Sequence, residues 1–151
     1  MVKKEEDVNM PGPNVFLTPE DVVAKSSRTG SNPATPIVAL LMKSVNDAHI
    51  THLMQPDKTL ALHTALEKYY DGDIEDIIDT LQEQSMGIYN ETDIKVDGSS
   101  KIDNCTKYFQ ELYAKVEQLR KPIKETFLQN IVDEVQAEIA HTLYRLKNIT
   151  D

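Results

Sequence analysis

The chain has no tryptophan and only one cysteine, Cys105, among its 151 residues. A single cysteine cannot form a disulfide within the chain, which favours a reducing compartment and predicts a cytoplasmic protein. No apolar run reaches the roughly 18 residues that a membrane-spanning helix needs. The first residues are lysines and acids with no apolar stretch behind them. The sequence therefore predicts neither a membrane span nor a secretory leader.

Alternating polar and apolar residues and Asn-Gly turns are also missing, which disfavours a β-sheet protein. Apolar residues instead recur at intervals of three and four, the period of an amphipathic helix. Four such stretches are found, and they predict helices over about residues 36–54, 58–86, 103–120 and 126–148. The predicted fold class is all-α: an antiparallel four-helix bundle of ferritin-like type, with a long crossover between helices two and three.

Local signals mark several of the helix ends. Thr35-Pro36 predicts the start of the first helix, with threonine as the cap and proline in the first turn. Gly87 is typical of the end of a helix and closes the second. Thr126 and Gln129 fit a capping box at the start of the fourth, in which each side chain satisfies the other's backbone donor.

The first 35 residues differ from the rest and predict an irregular N-terminal arm in front of a domain over residues 36–151. Pro11, Pro13, Pro19 and Pro33 lie in this arm, together with a polar stretch around Gly30. Its apolar segment Val15-Phe16-Leu17 is a candidate anchor, either for the body of the protein or for a protein partner.

The formal charge of −9 is concentrated in one segment. Residues 57–87 carry two basic and eight acidic side chains, net −6, so this segment repels phosphate and attracts cations. The arm is net −1, with four scattered basic residues. DNA binding through the arm is therefore not expected.

The residues best suited to chemistry are histidines and acids near the end of helix one and along helix two. His52 ends helix one, and His63 and Glu67 are four residues apart on one face of helix two. Asp79 and Glu83 form a second pair with the same spacing. Imidazole and carboxylate together are a ligand set that iron accepts readily. The alternative for each pair is an ordinary solvated helix face.

The order of these residues resembles the Dps family of mini-ferritins. The stretch Ile78-Asp79-Thr80-Leu81-Gln82-Glu83-Gln84 is similar to that family's helix-two motif, and residues 140–146 are similar to its final helix. The resemblance covers about residues 36–148. It implies iron as the metal, with oxidation of ferrous iron (ferroxidase activity) and storage of the product in a shell of twelve identical subunits.

The resemblance also implies a site shared by two subunits across a two-fold axis. His52, His63 and Glu67 would come from one subunit, and Asp79 and Glu83 from its mate. Leu53 stands where that family usually has tryptophan. Helix two has one residue more than that family between its two ligand pairs. A π-bulge at residues 71–73 would absorb it. On a regular helix Glu67 and Asp79, twelve residues apart, would instead lie about 120° apart around the axis, and the two pairs would not share a face.

Two other interpretations compete with the iron protein. A di-iron site inside one bundle would need two Glu-x-x-His motifs, but the chain has only Glu138-Ile139-Ala140-His141 and helix one contains no glutamate. The remaining alternative is a bundle without metal chemistry that acts as a structural or adaptor protein. Small proteins of this general kind occur in tailed bacteriophages, and that likeness makes a viral origin part of the alternative.

Overall fold

The structure is a computed structural model that describes residues 31–55, 60–90 and 93–149. Its helices are α1 (Thr35–Met54), α2 (Leu60–Tyr70), α3 (Ile74–Met86), α4 (Cys105–Leu119) and α5 (Thr126–Lys147). No strand occurs in the described residues, so the all-helical prediction is confirmed for them. The apolar segment of the predicted arm, residues 15–17, lies outside the described part of the chain.

The start of α1 is capped differently from the sequence prediction. Thr35 is already inside the helix, and Ala34 occupies the cap position without a side-chain cap. Asn32 organises the turn instead, because its Oδ1 accepts a hydrogen bond from the Ala34 N–H and its Nδ2 donates to Ser85 at the end of α3. This contact fixes the beginning of α1 against the end of α3, so the two helices run in opposite directions.

The predicted second helix over residues 58–86 is wrong as a single element, because the chain breaks into α2 and α3 at residues 71–73. The Gly72 N–H reaches the carbonyl of Tyr69, three residues back, at 3.4 Å. This tightens the turn, whereas a π-bulge would widen it. A Cβ on Gly72 would lie 2.4 Å from the Lys68 carbonyl oxygen, so only glycine fits this turn without a backbone shift.

The helices form a four-helix bundle once α2 and α3 are counted as one broken helix. The first helix packs on α2, α3 and α4, and α5 packs on the same three, whereas α1 and α5 lie diagonally across the bundle. Both α1 and α5 run antiparallel to the broken helix and to α4, which makes the order up, down, down, up. Two consecutive helices that run in the same direction require a connection along the full length of the bundle.

Residues 87–90 and 93–104 belong to that long connection, and polar contacts hold its later part along α1. The buried Asp47 carboxylate accepts hydrogen bonds from the Ser100 N–H (3.0 Å), the Tyr108 hydroxyl (2.7 Å) and the Lys43 ammonium (2.6 Å). One turn later, Thr51 Oγ1 accepts from the Ile102 N–H at 2.8 Å. Burial alone would raise the pKa of Asp47, but the hydrogen bonds from Lys43 and Tyr108 outweigh it and lower the pKa.

The capping box predicted for Thr126 and Gln129, at the link between α4 and α5, is not formed. Glu125, not Thr126, is the cap residue of α5, and it makes no side-chain cap. Gln129 is used elsewhere, since its amide donates to the carbonyls of Arg120 and Ile123. The guanidinium of Arg120 binds the Gln129 side-chain oxygen in return, so a contact within the hairpin replaces the local cap.

The core lies along the inward faces of all five helices. Tyr69 sits at its centre, fully buried, with its ring edge on Phe109 at 4.9 Å and its hydroxyl 2.6 Å from Ser44. Of the two adjacent tyrosines, Tyr69 therefore faces the core, and Tyr70 faces the surface between α1 and α2. This orientation places Tyr70 beside the histidines.

Candidate metal centre

The antiparallel packing of α1 and α2 brings together three of the five predicted ligands. His52 lies in the last turn of α1, and His63 and Glu67 lie on consecutive turns of α2. One ligand atom from each of these residues can be chosen so that all three lie within 4.8 Å of one another. Two imidazoles and one carboxylate are a recurrent ligand set for ferrous iron and for zinc.

Exposure increases across the group from His52 to Glu67. The His52 side chain is buried, with 9% of its surface exposed, His63 is half-buried, and Glu67 is exposed. A cation bound here would be shielded by protein on the His52 side and would face solvent on the Glu67 side. The arrangement therefore leaves coordination positions for water or a small oxidant.

A backbone contact sets the orientation and the tautomer of His52. Its Nδ1 lies 3.0 Å from the carbonyl oxygen of His63. A carbonyl oxygen can only accept, so Nδ1 donates the proton of this hydrogen bond, and Nε2 is the ring nitrogen that the contact leaves available for a metal. Metal-binding histidines commonly donate their second ring nitrogen to a carbonyl in this way, which fixes the ring and leaves the other nitrogen free to coordinate.

Aromatic rings surround His52 on two sides. The His63 ring stacks on it with centroids 3.5 Å apart and planes 29° apart, and the Tyr70 ring meets it edge-on at 5.2 Å. His49, one turn earlier on α1, stacks on the Tyr70 ring with centroids 4.3 Å apart. The four rings form a continuous array from exposed His49 to the ligand group.

Tyr70 is the residue of this site that the sequence analysis did not assign to it. Partial burial, followed by the carboxylates of Glu67 and Asp71, raises the pKa of Tyr70, so the phenol stays neutral at physiological pH. Its spacing was a usable signal, because Tyr70 is three residues after Glu67 and shares its helix face. The adjacent Tyr69 obscured that signal, since either tyrosine could have faced the core.

Asp79 and Glu83 do not join the group within one chain. Both are exposed on α3, beyond the turn at residues 71–73. Within the described ranges, the three-residue group on α1 and α2 is the only cluster of histidine, cysteine or acidic side chains with metal-ligand spacing. Glu67 and Asp79 do not lie on one continuous helix, because the chain breaks between them at residues 71–73.

Two other candidate residues are explained by their surroundings. His141 is exposed on α5, with its ring 3.5 Å from an Arg145 nitrogen. Cys105 is half-buried at the start of α4, where burial raises the pKa of its thiol and nearby Lys101 opposes the shift. A raised pKa makes a thiol less reactive.

No helix in the described ranges is long and apolar enough to cross a membrane. The fold and the site together define a helical bundle that carries, at its surface, two histidines and a glutamate spaced as metal ligands are. Residues 52–146 match the model of a family of unknown function, DUF5856, and the chain belongs to that family. The matched segment begins at His52 and contains all three residues of the group. No curated protein and no solved structure matches the chain.

Proposed function

We propose that this protein binds ferrous iron at His52, His63 and Glu67 and oxidises it, as a ferritin-like protein of Dps type. The observation that carries the proposal is the convergence of these three ligand atoms within 4.8 Å. The single long connection between two parallel helices supports it, because ferritin-like bundles are built with one such crossover. The lone cysteine favours a cytoplasmic setting for this activity.

Asp79 and Glu83 have a defined part in this proposal. They are exposed on α3 and available to a second copy of the chain, which would add two carboxylates to the three ligands of the first. Peroxide takes up two electrons and each ferrous ion gives one, so two ferrous ions and two protons yield two ferric ions and two waters per peroxide. A pair of ligand sets from two subunits suits this stoichiometry, and a homo-oligomer of the Dps kind, up to twelve subunits, is part of the proposal.

A specific observation favours the second candidate, a bundle that acts as a structural or adaptor protein, including one of phage origin. Leu53 and Leu60, beside the histidines, are 70% and 67% exposed. Large exposed apolar side chains that lie near each other at one end of a bundle are typical of an interface with another protein. In this candidate the histidines only pack the junction of α1 and α2.

Iron oxidation separates the two candidates. Metal-free protein is mixed anaerobically with ferrous iron, peroxide is added, and ferric absorbance is followed for the natural chain and for a His63→Ala/Glu83→Ala variant. The proposal expects fast oxidation that the variant loses, with His141→Ala as a matched control that keeps it. Oxidation no faster than in buffer, from folded protein, would contradict the iron protein and leave the structural candidate.

A further inference from the structure

We infer that His52, His63 and Glu67 of a single chain form a complete site for one first-row divalent transition ion, without Asp79, Glu83 or a second subunit. The inference concerns the same residues as the proposed function, but it requires neither iron oxidation nor an oligomer. All three ligands come from the junction of α1 and α2 in one chain. Their juxtaposition follows from the packing of α1 on α2, which are directly packed neighbours in the bundle.

Among the described residues, the coordinating atoms of the three side chains have no other hydrogen-bond partner apart from the His52 contact. His52 donates through Nδ1 to a carbonyl, which leaves Nε2 free. No side chain or backbone group of the described residues hydrogen-bonds to the His63 ring nitrogens or to the Glu67 carboxylate. Uncommitted imidazole and carboxylate groups placed this close together are what a transition ion needs, since each ligand must offer a lone pair.

The separation of the two rings predicts which ligand moves when an ion binds. Two imidazoles that bind one ion at a right angle have ring centres roughly 4.5 Å apart, given metal–nitrogen bonds of about 2.1 Å. The observed 3.5 Å is shorter, so the stack must open by roughly 1 Å. His52 is held by the His63 carbonyl and by the edge of Tyr70. The His63 ring receives no hydrogen bond from the described residues, so it is the ring that we expect to swing.

The donor set selects the class of ion. Two nitrogen ligands and one carboxylate favour zinc, cobalt, nickel and ferrous iron over magnesium and calcium, which prefer all-oxygen sites. Three protein ligands leave at least one coordination position open. Because Glu67 is exposed, that position faces solvent, and we expect a bound water there that added anions can displace.

Cobalt is the suitable probe, because its visible absorption reports both binding and coordination number. The metal-free full-length chain is titrated with Co²⁺ at two protein concentrations differing tenfold. We expect one ion per chain, the same affinity at both concentrations, and a spectrum that azide perturbs through the open position. An affinity that rises with protein concentration would show that a second chain is required and would overturn the inference.

Matched variants locate the site. Asp79→Asn/Glu83→Gln and the control His141→Ala should keep one cobalt per chain within about twofold of the natural affinity. His63→Ala should lower the affinity for cobalt by at least about 100-fold, because it removes a direct ligand. Loss of a residue that only hydrogen-bonds to a ligand typically costs less. Loss of cobalt binding in Asp79→Asn/Glu83→Gln would overturn the inference and leave the shared iron site standing. Cobalt binding without iron oxidation would sink the proposed function and leave this inference intact.

Circular dichroism of each variant distinguishes a lost ligand from a lost fold. If His63→Ala is unfolded, Glu67→Gln tests the same point, since Glu67 is exposed and its amide is nearly the same shape. A folded Glu67→Gln that binds cobalt as tightly as the natural chain would contradict the assigned ligand set.

Discussion

Two polar groups, one around Asp47 of α1 and one around His52 at the end of the same helix, differ in how their lone pairs are used. The Asp47 carboxylate is buried and accepts hydrogen bonds from a backbone N–H, a phenol and an ammonium group of the chain itself. The histidine group that begins at His52 keeps a free ring nitrogen and leaves Glu67 without a partner among the described residues. A cluster whose polar atoms all have internal partners stabilises the fold, whereas one with free lone pairs is suited to a ligand.

The largest expected effect that tests this contrast is loss of the Asp47 acceptor. Asp47→Ala leaves Tyr108, Lys43 and the Ser100 N–H without their partner, and it should lower the free energy of unfolding by about 3 kcal/mol. Urea unfolding checks the value, with Asp103→Ala, an exposed residue of the same connection, as the control that changes little. A loss below about 1 kcal/mol would show that the network does not hold the crossover.

Thr51 tests the same network with an isosteric change. Its hydroxyl donates to the Asp47 carbonyl and accepts from the Ile102 N–H, so Thr51→Val leaves a buried N–H unsatisfied and should cost about 2 kcal/mol. Thr80→Val is the matched control, because Thr80 makes the same bond to the carbonyl four residues back but at an exposed position. Equal losses in the two variants, measured by thermal unfolding, would contradict a role for the Ile102 contact.

At the histidine group the expected effect is on binding, with little change in stability. Tyr70→Leu removes the ring edge that orients His52, and it should weaken cobalt binding by about tenfold. Tyr70→Phe keeps the ring and should bind as the natural chain does, and Tyr113→Leu controls for loss of an exposed tyrosine. Equal affinity for Tyr70→Leu and Tyr70→Phe would remove Tyr70 from the site.

The smallest expected effect is the pH dependence of the Asp47 contribution. The pKa of Asp47 is lowered in the folded chain from its ordinary value of 3.8. The stability that its ionised form contributes is therefore fully present above that value and is lost as the pH falls through the folded pKa. The difference in unfolding free energy between the natural chain and Asp47→Asn should shrink between pH 7 and pH 3. A difference that grows on acidification would contradict the lowered pKa.

Local signals in the sequence predicted the helices well, because apolar periodicity and Gly87 act within a few residues of the chain. They failed where distant residues intervene. Gln129 fits a capping box with Thr126 but is bound to Arg120 instead. The break at Gly72 was marked by its glycine, yet the apolar stripe continues through it and favoured one long helix.

For the site, too, local spacing was predictable and contacts between distant residues were not. The spacing of His63 and Glu67 places both on one face of α2, and the sequence was enough to pair them. The approach of His52 depends on how α1 packs on α2, which the sequence alone does not give. The Asp47 network could not be predicted either, since Tyr108 and Ser100 are more than 50 residues away from it along the chain.

A crystal structure of the full-length chain with Co²⁺ tests most directly whether His52, His63 and Glu67 coordinate one metal ion together. We expect one anomalous peak at about 2.0–2.2 Å from His52 Nε2, a nitrogen of a reoriented His63 ring and a Glu67 oxygen. A peak held only by Asp79 and Glu83, or no peak at the histidines with their rings still stacked, would contradict it.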